Sequence, residues 1–265
     1  MESGAIDGAA QAIIAAYETG RPAPRLDPTL RPITLDDAYA VQDRVLSAKA
    51  PAAGWKVGCN PADGVVTCAP LFASRIFAGD SVPAPQELLG TGIEIEFAFR
   101  MGAGLPKRER PYDVDDIRAA VDGFFPLIEL VGGRFADRSQ LSPMEQLADG
   151  YGAAVIVGAR VPVWQEIDFR KLRAELWIDG DRLQVAQDCH PAGDPLTLVA
   201  WLANHLVNRA GHSGLRGGDL VTTGGLAGVT PVKGGERIAA RYLIADDREI
   251  ARVDAEFATT SRLNA

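Results

Sequence analysis

Residues 91–101, TGIEIEFAFRM, alternate strictly between apolar and other side chains. That period of two fits a half-buried strand and excludes a helix. Ile93, Ile95 and Phe97 then share one face, and Glu94 and Glu96 project together from the other. Carboxylates spaced i, i+2 have Cβ atoms roughly 7 Å apart and can converge on one cation. The plain alternative for any Glu-x-Glu is a solvated strand face. Here Gly92 precedes the pair, Phe97, Ala98 and Phe99 follow it, and the next basic residue is Arg100. Carboxylates in such surroundings repel unless a positive charge lies between them. A hard cation with oxygen ligands supplies that charge.

Glu129 is the natural third ligand, because it sits inside the apolar run FFPLIELV, where an unpaired carboxylate is costly. An ion pair with Arg134 is the competing role for it. Lys56, in GWKVG, is likewise set among apolar and glycine neighbours, which suits it either to moving protons or to a structural part. His190, His205 and His212 are scattered and read as structural or surface residues. The glycine-rich GGDLVTTGGLAG, residues 217–228, lacks the strand-GxGxxG-helix context of a dinucleotide fold, and no GxxxxGK[ST] is present. It lets backbone approach a ligand or another strand, which makes Gly225 and Leu226 candidate substrate contacts.

Along the chain, residues 7–19 place Ala10, Ile13, Ile14 and Tyr17 at helical spacing, and Gly20 and Pro22 stop that helix. Thr34 opens a second helix, with Asp37 as the acid of a capping box and Pro51 as the stop. Trp55 to Val82 is strand-like. Residues 114–124 read as a helix, 127–131 as a strand, and PMEQLAD as a short helix inside an irregular loop. Residues 153–163 and 170–188 read as hairpins, the second turning on Asp179-Gly180. Residues 194–211 form an amphipathic helix, and 218–257 are strands joined by glycine turns. The expected fold is α+β, with an N-terminal helical segment (1–60) packed on one strand-rich unit (61–265).

A net charge of −8 with scattered Lys and Arg disfavours nucleic acid. No run reaches membrane-spanning length. Glu2, Asp7 and Glu18 near the start do not suit a signal peptide, and Cys59, Cys68 and Cys189 form no CxxC pair. A cytoplasmic protein without a disulfide framework is the expectation.

In order, RPITLDDAYAVQDRVL, GWKVG, GIEIEFAF, PLIELVGGR, VAWLANHL and GLRGGDLVTTGGLAGVTPVKGGERIAARY resemble the 2-keto-4-pentenoate hydratase family, within the fumarylacetoacetate hydrolase superfamily, from about residue 31 to 257. The resemblance implies a mixed β-sandwich or roll and a Mg²⁺ or Mn²⁺ ion on Glu94, Glu96 and Glu129. It further implies a substrate whose 2-oxo-carboxylate chelates that ion, Lys56 handling protons, and a homo-oligomer. The implied reaction is hydration of a 2-hydroxydienoate to a 4-hydroxy-2-oxo acid. Decarboxylation of an oxalocrotonate-like 2-oxo acid, or a non-catalytic binding or assembly role, is the alternative; a C–C hydrolase ranks lower because no histidine precedes residue 190.

Three stretches depart from the family's pattern. Its Pro-Asp-aromatic-Gly turn is Pro70-Leu71-Phe72-Ala73 here. Its Glu-x-x-Asp-Ser-Arg is Glu129-Leu130-Val131-Gly132-Gly133-Arg134, and its Ala-Asp-Asn-Ala-Ser is Ala148-Asp149-Gly150-Tyr151-Gly152. Leu71, Phe72, Arg134 and Asp149 are the substrate contacts these matches suggest, with Phe77 and Tyr151 as further lining residues. The losses at 71 and 152 remove polar groups that would position water.

Overall fold

A computed structural model of the chain describes residues 1–49, 52–78, 81–150, 152–161, 163–186, 190–244 and 247–259. Tyr151, Pro51 and Cys189 lie outside the described residues. The helices are α1 (Ser3–Thr19), α2 (Leu35–Lys49), α3 (Val114–Ala120), α4 (Pro143–Asp149) and α5 (Leu196–Asn208). The first seven strands are β1 (Ala52–Cys59), β2 (Val66–Phe72), β3 (Ile76–Ala78), β4 (Ser81–Val82), β5 (Gly90–Met101), β6 (Val121–Gly132) and β7 (Gly152–Val157). The rest are β8 (Arg173–Ile178), β9 (Asp181–Ala186), β10 (Leu220–Thr222), β11 (Thr230–Pro231), β12 (Arg237–Ile244) and β13 (Arg248–Phe257).

The strands form two sheets. One is eight-stranded, in the order β2-β1-β10-β5-β6-β7-β3, with β11 added to β5; the other is five-stranded, in the order β4-β13-β12-β8-β9. This is the expected strand-rich α+β sandwich with helices at its N-terminal end. The strand read from TGIEIEFAFRM is β5, and its apolar face packs into an aromatic part of the core. There Phe97 packs on Phe124 and Phe169 at centroid distances of 5.2 and 5.3 Å, and Phe99 on Trp164 at 5.7 Å. β1 lies inside the eight-stranded sheet, parallel to β10, although about 165 residues separate them.

Local chemistry accounts for most element ends. Gly20 closes α1 at φ 63°, donating to the Ala16 carbonyl. Thr34 and Asp37 cap α2 reciprocally, at 3.0 and 3.1 Å. Asp179 and Gly180, at φ 51° and 91°, make the tight turn between β8 and β9. Two expectations change. The helix expected over 114–124 stops at Ala120, because Val121 pairs with Met101 and Phe124 with Phe99 in the β5–β6 ladder. Residues 153–163 are not a hairpin: β7 pairs with β6 and β3, and Val161 makes only an isolated bridge to Phe124. In both places long-range pairing overrode a local pattern. No helix among the described residues is long and apolar enough to cross a membrane.

Tyr242 of β12 joins the two sheets. Its ring is fully buried, and its hydroxyl reaches the carbonyls of Glu96 and Leu127 while accepting the Leu127 N–H at 3.2 Å. Leu127 follows Pro126, which brings no N–H to the ladder. Burial raises the Tyr242 pKa and keeps the phenol protonated. Tyr242→Phe would strand these backbone groups and is expected to lower the unfolding free energy by about 1–3 kcal/mol in urea titration. An unchanged midpoint would show that the hydroxyl holds nothing.

Candidate metal centre

The acidic face of β5 is built by register. Glu94 stands opposite Glu129 of β6; on the other side Ala98 stands opposite Thr222 of β10, and Thr222 opposite Lys56 of β1. Period-two alternation therefore puts Glu94, Glu96, Glu129, Thr222 and Lys56 on one face of the sheet. Ligand oxygens of the three glutamates lie within 4.8 Å of one another. Glu96 and Glu129 are only 1% and 2% exposed, whereas Glu94 is half-buried. The Lys56 ammonium pairs with Glu129, and the Thr222 hydroxyl donates to Glu96.

Electrostatics follow from that crowding. Burial first, and then the charge of Glu129, pushes Glu94 above the usual carboxylate range, while Lys56 and Arg138 pull it back. The same two causes push Glu96 well above its ordinary value, against the pull of Lys56 and the Thr222 hydrogen bond. One ammonium does not balance three carboxylates. The donors are oxygens, the set is anionic, and a hard divalent cation of the Mg²⁺, Mn²⁺ or Ca²⁺ type suits both facts.

Glycine makes the crowding sterically feasible. A Cβ on Gly225 would come within 2.9 Å of the Glu94 carboxyl group, and one on Gly152 within 2.5 Å of both the Lys56 ammonium and Glu129. The space over the cluster, about 160 Å³, is lined by Lys56, Thr67, Glu94, Glu96, Glu129 and Gly225 and suits a small acid. It meets a second cavity at Lys56, Glu129 and Gly150, walled by Tyr17, Leu71, Phe72 and Ala153.

Most expected site residues meet here, with exceptions. Leu71, Phe72 and Asp149 line the second cavity and Gly225 the first. Arg134 lines neither; 1% exposed, it binds Asp149 at 2.6 Å and reaches the Gly152 carbonyl. It thus supports the wall from behind and does not pair with Glu129, which Lys56 holds instead. The Leu226 side chain also lines neither cavity, and its N–H donates to the Ile95 carbonyl at 2.8 Å. Phe77, on β3, packs against the core. The three histidines stay outside: His190 packs on Phe97, His205 stacks on Trp201, and His212 bonds Asp43 at 2.8 Å. Sequence reading missed Thr222, Tyr17, Arg75 and Arg138. Only Thr222 had a local signal, its alternation within LVTT.

Fold and site together define an α+β sandwich that gathers carboxylates suited to a hard cation beside a largely apolar cavity. The sequence profile of the fumarylacetoacetate (FAA) hydrolase C-terminal family matches residues 69–259, and the chain belongs to that family. A 2-keto-4-pentenoate hydratase of Paraburkholderia xenovorans (strain LB400) is 29% identical over 246 residues, covering 86% of this chain and 87% of the hydratase. A 4-oxalocrotonate decarboxylase of Pseudomonas putida is 27% identical over 183 residues, covering 69% of this chain and 61% of the decarboxylase. Among solved structures, 4-oxalocrotonate decarboxylase from Pseudomonas putida G7, complexed with magnesium and adipate, superposes with a TM-score of 0.83. It is 23% identical, and the match covers 97% of this chain and 98% of that one.

The raised carboxylates set a pH dependence. A folded pKa above the unfolded value of 4.5 gives stability that is present below pH 4.5 and lost as pH rises through the folded value. Asp37 and Glu145, lowered by their partners, work oppositely but are saturated above about pH 5.5. Burial lowers His190 to about 4 and also lowers His205, so both stabilise as pH rises through 6.5. Comparison with Glu96→Gln cancels the histidines. In EDTA, wild-type protein is expected to lose melting temperature relative to Glu96→Gln as pH rises above the ordinary carboxylate value of 4.5, and Mg²⁺ is expected to abolish that relative loss. Parallel melting curves for the two proteins in EDTA would rule out carboxylate crowding as the cause.

Proposed function

We propose that the protein is a divalent-metal-dependent lyase acting on a small 2-oxo or 2-hydroxydienoic acid, hydrating a 2-hydroxypenta-2,4-dienoate-like compound to a 4-hydroxy-2-oxo acid. The observation that carries this reading is the approach of Glu94, Glu96 and Glu129 within 4.8 Å, with Lys56 at their edge. The hydratase and decarboxylase relatives and the magnesium-bound neighbour support it. In this reading Glu94, Glu96 and Glu129 hold Mg²⁺ or Mn²⁺. When bound, such an ion supplies Lewis acidity and charge to a 2-oxo-carboxylate.

The chain's own residues supply the rest. Thr222 holds Glu96 in one orientation. Lys56, between the carboxylates and the second cavity, is placed to carry a proton to or from a substrate carbon. Leu71, Phe72 and Ala153 keep water from that side. The same apolar wall favours a second reading, decarboxylation, because it offers no side chain at 71 or 152 to position an attacking water. A cytoplasmic homo-oligomer fits either reading.

Incubation with 2-hydroxypenta-2,4-dienoate and with 4-oxalocrotonate, followed by ultraviolet absorbance and CO₂ release, separates the two. Glu94→Gln and Glu96→Gln are expected to abolish Mg²⁺-dependent turnover, and Lys56→Met to lower kcat about 10²–10⁴-fold. Metal and oxalate binding without turnover of either acid would identify a binding protein instead.

A further inference from the structure

The second cavity holds a charge that the proposed chemistry does not use. Its charged lining residues are Lys56, Arg75, Glu129 and Asp149. Lys56 is paired with Glu129, and Arg134 with Asp149, so each carboxylate in the wall already has a cation. Arg75 is the charge left over. Its guanidinium lies over the Tyr17 ring at 5.3 Å, and one nitrogen donates to the Leu88 carbonyl at 3.3 Å. No carboxylate among the described residues forms an ion pair with it.

A guanidinium carries five N–H donors in a planar fork matched to a carboxylate. Held half-buried against an aromatic face, it is restricted in orientation. Burial and the neighbouring Arg134 both disfavour its charge, so an arriving anion would be welcomed. The remaining lining includes Ile13, Leu71, Phe72 and Ala153, which offer no competing hydrogen bonds. Glu94 and Glu96 line only the first cavity and Arg75 only the second, and the two cavities share Lys56, Glu129 and Gly150.

We propose that Arg75 receives a second carboxylate at the distal end of the substrate, making the site selective for 2-oxo dicarboxylic acids over monocarboxylic acids of the same length. This rests on the reading that the 2-oxo end is held at Glu94, Glu96 and Glu129, and it favours the oxalocrotonate-like diacid of the second reading over the five-carbon monoacid as substrate. Tyr17 of α1 positions the guanidinium, its ring contacting both Arg75 and Arg134, at 5.3 and 4.7 Å. The substrate would therefore span both cavities, with its apolar middle along Leu71 and Phe72.

The test compares 2-oxoadipate with 2-oxohexanoate, six-carbon acids that differ only in the terminal carboxylate, by titration calorimetry in Mg²⁺. Wild-type protein is expected to bind the diacid at least about tenfold more tightly. Arg75→Gln is expected to erase the preference, and Arg75→Lys, which keeps the charge without the fork, to retain part of it. Equal binding of the two acids by wild-type protein, or an undiminished preference in Arg75→Gln, would overturn the assignment. Oxalate titrated with and without EDTA reports on the carboxylate cluster alone. Metal-independent oxalate binding would sink the cluster reading and leave the diacid comparison to decide Arg75 separately.

Discussion

Glu94 directly faces Glu129 across the β5–β6 ladder, and the rest of the molecule is arranged so that this opposition persists. Like charges at opposed positions of an antiparallel pair are destabilising. A slip of one residue would relieve them, but it would also turn Ile93, Ile95, Phe97 and Phe99 out of the core and the acids into it. Those four side chains are at most 1% exposed. Tyr242 further ties the ladder at Glu96 and Leu127 to the second sheet. The hydrophobic core thus dictates the register, and the register dictates the carboxylate cluster. The electrostatic cost falls on Glu94 and Glu96, where protonation, Lys56 or a cation can relieve it.

The N-terminal helices are part of that arrangement because they wall the cavity next to the cluster. α1 contributes Ile13 and Tyr17, and α2 contributes Gln42 and Val45. Gln42 ties α2 to the Cys68 and Leu147 carbonyls, at 3.2 and 2.6 Å, which fixes the helix over β2 and α4. Arg25 holds the buried Glu145 of α4 at 2.7 Å. Arg134 then binds Asp149 at the end of α4 and the carbonyl of Gly152 at the start of β7. Each link satisfies a polar group that would be costly to bury alone. Together they hold Asp149, Gly150 and Gly152 beside Lys56.

The legibility of these features follows the range of the interactions behind them. β5 was readable because its alternation is strict over eleven residues, and the Asp179-Gly180 turn because both residues accept positive φ. Glu129 stood out because a carboxylate inside an apolar run demands a partner. Which partner it takes was not readable: Lys56 reaches it from β1, three positions from β6 in the β1–β10–β5–β6 order, whereas Arg134, although nearer in sequence, pairs with Asp149. The extension of β6 back to Val121 is also long-range, since only pairing with Met101 distinguishes it from one more helical turn. Arg75 was invisible for a different reason. Its significance lies in forming no ion pair with a carboxylate among the described residues, and that is a property of the assembled cavity.

Gly152 links the departures from the family's pattern to this geometry. The resemblance leads one to expect serine there, yet any Cβ at 152 would stand within 2.5 Å of both the Lys56 ammonium and Glu129. Removing the side chain lets lysine and carboxylate close on each other in the space a hydroxyl would have filled. Lys56 and a divalent cation at the cluster would compete for the charge of Glu129. A cation that satisfied Glu129 would weaken its hold on the ammonium. At position 71 leucine replaces the expected acid, so no neighbouring carboxylate on β2 recaptures that lysine. The two changes act in one direction: they remove the polar groups around Lys56 and make Glu129 its counter-ion.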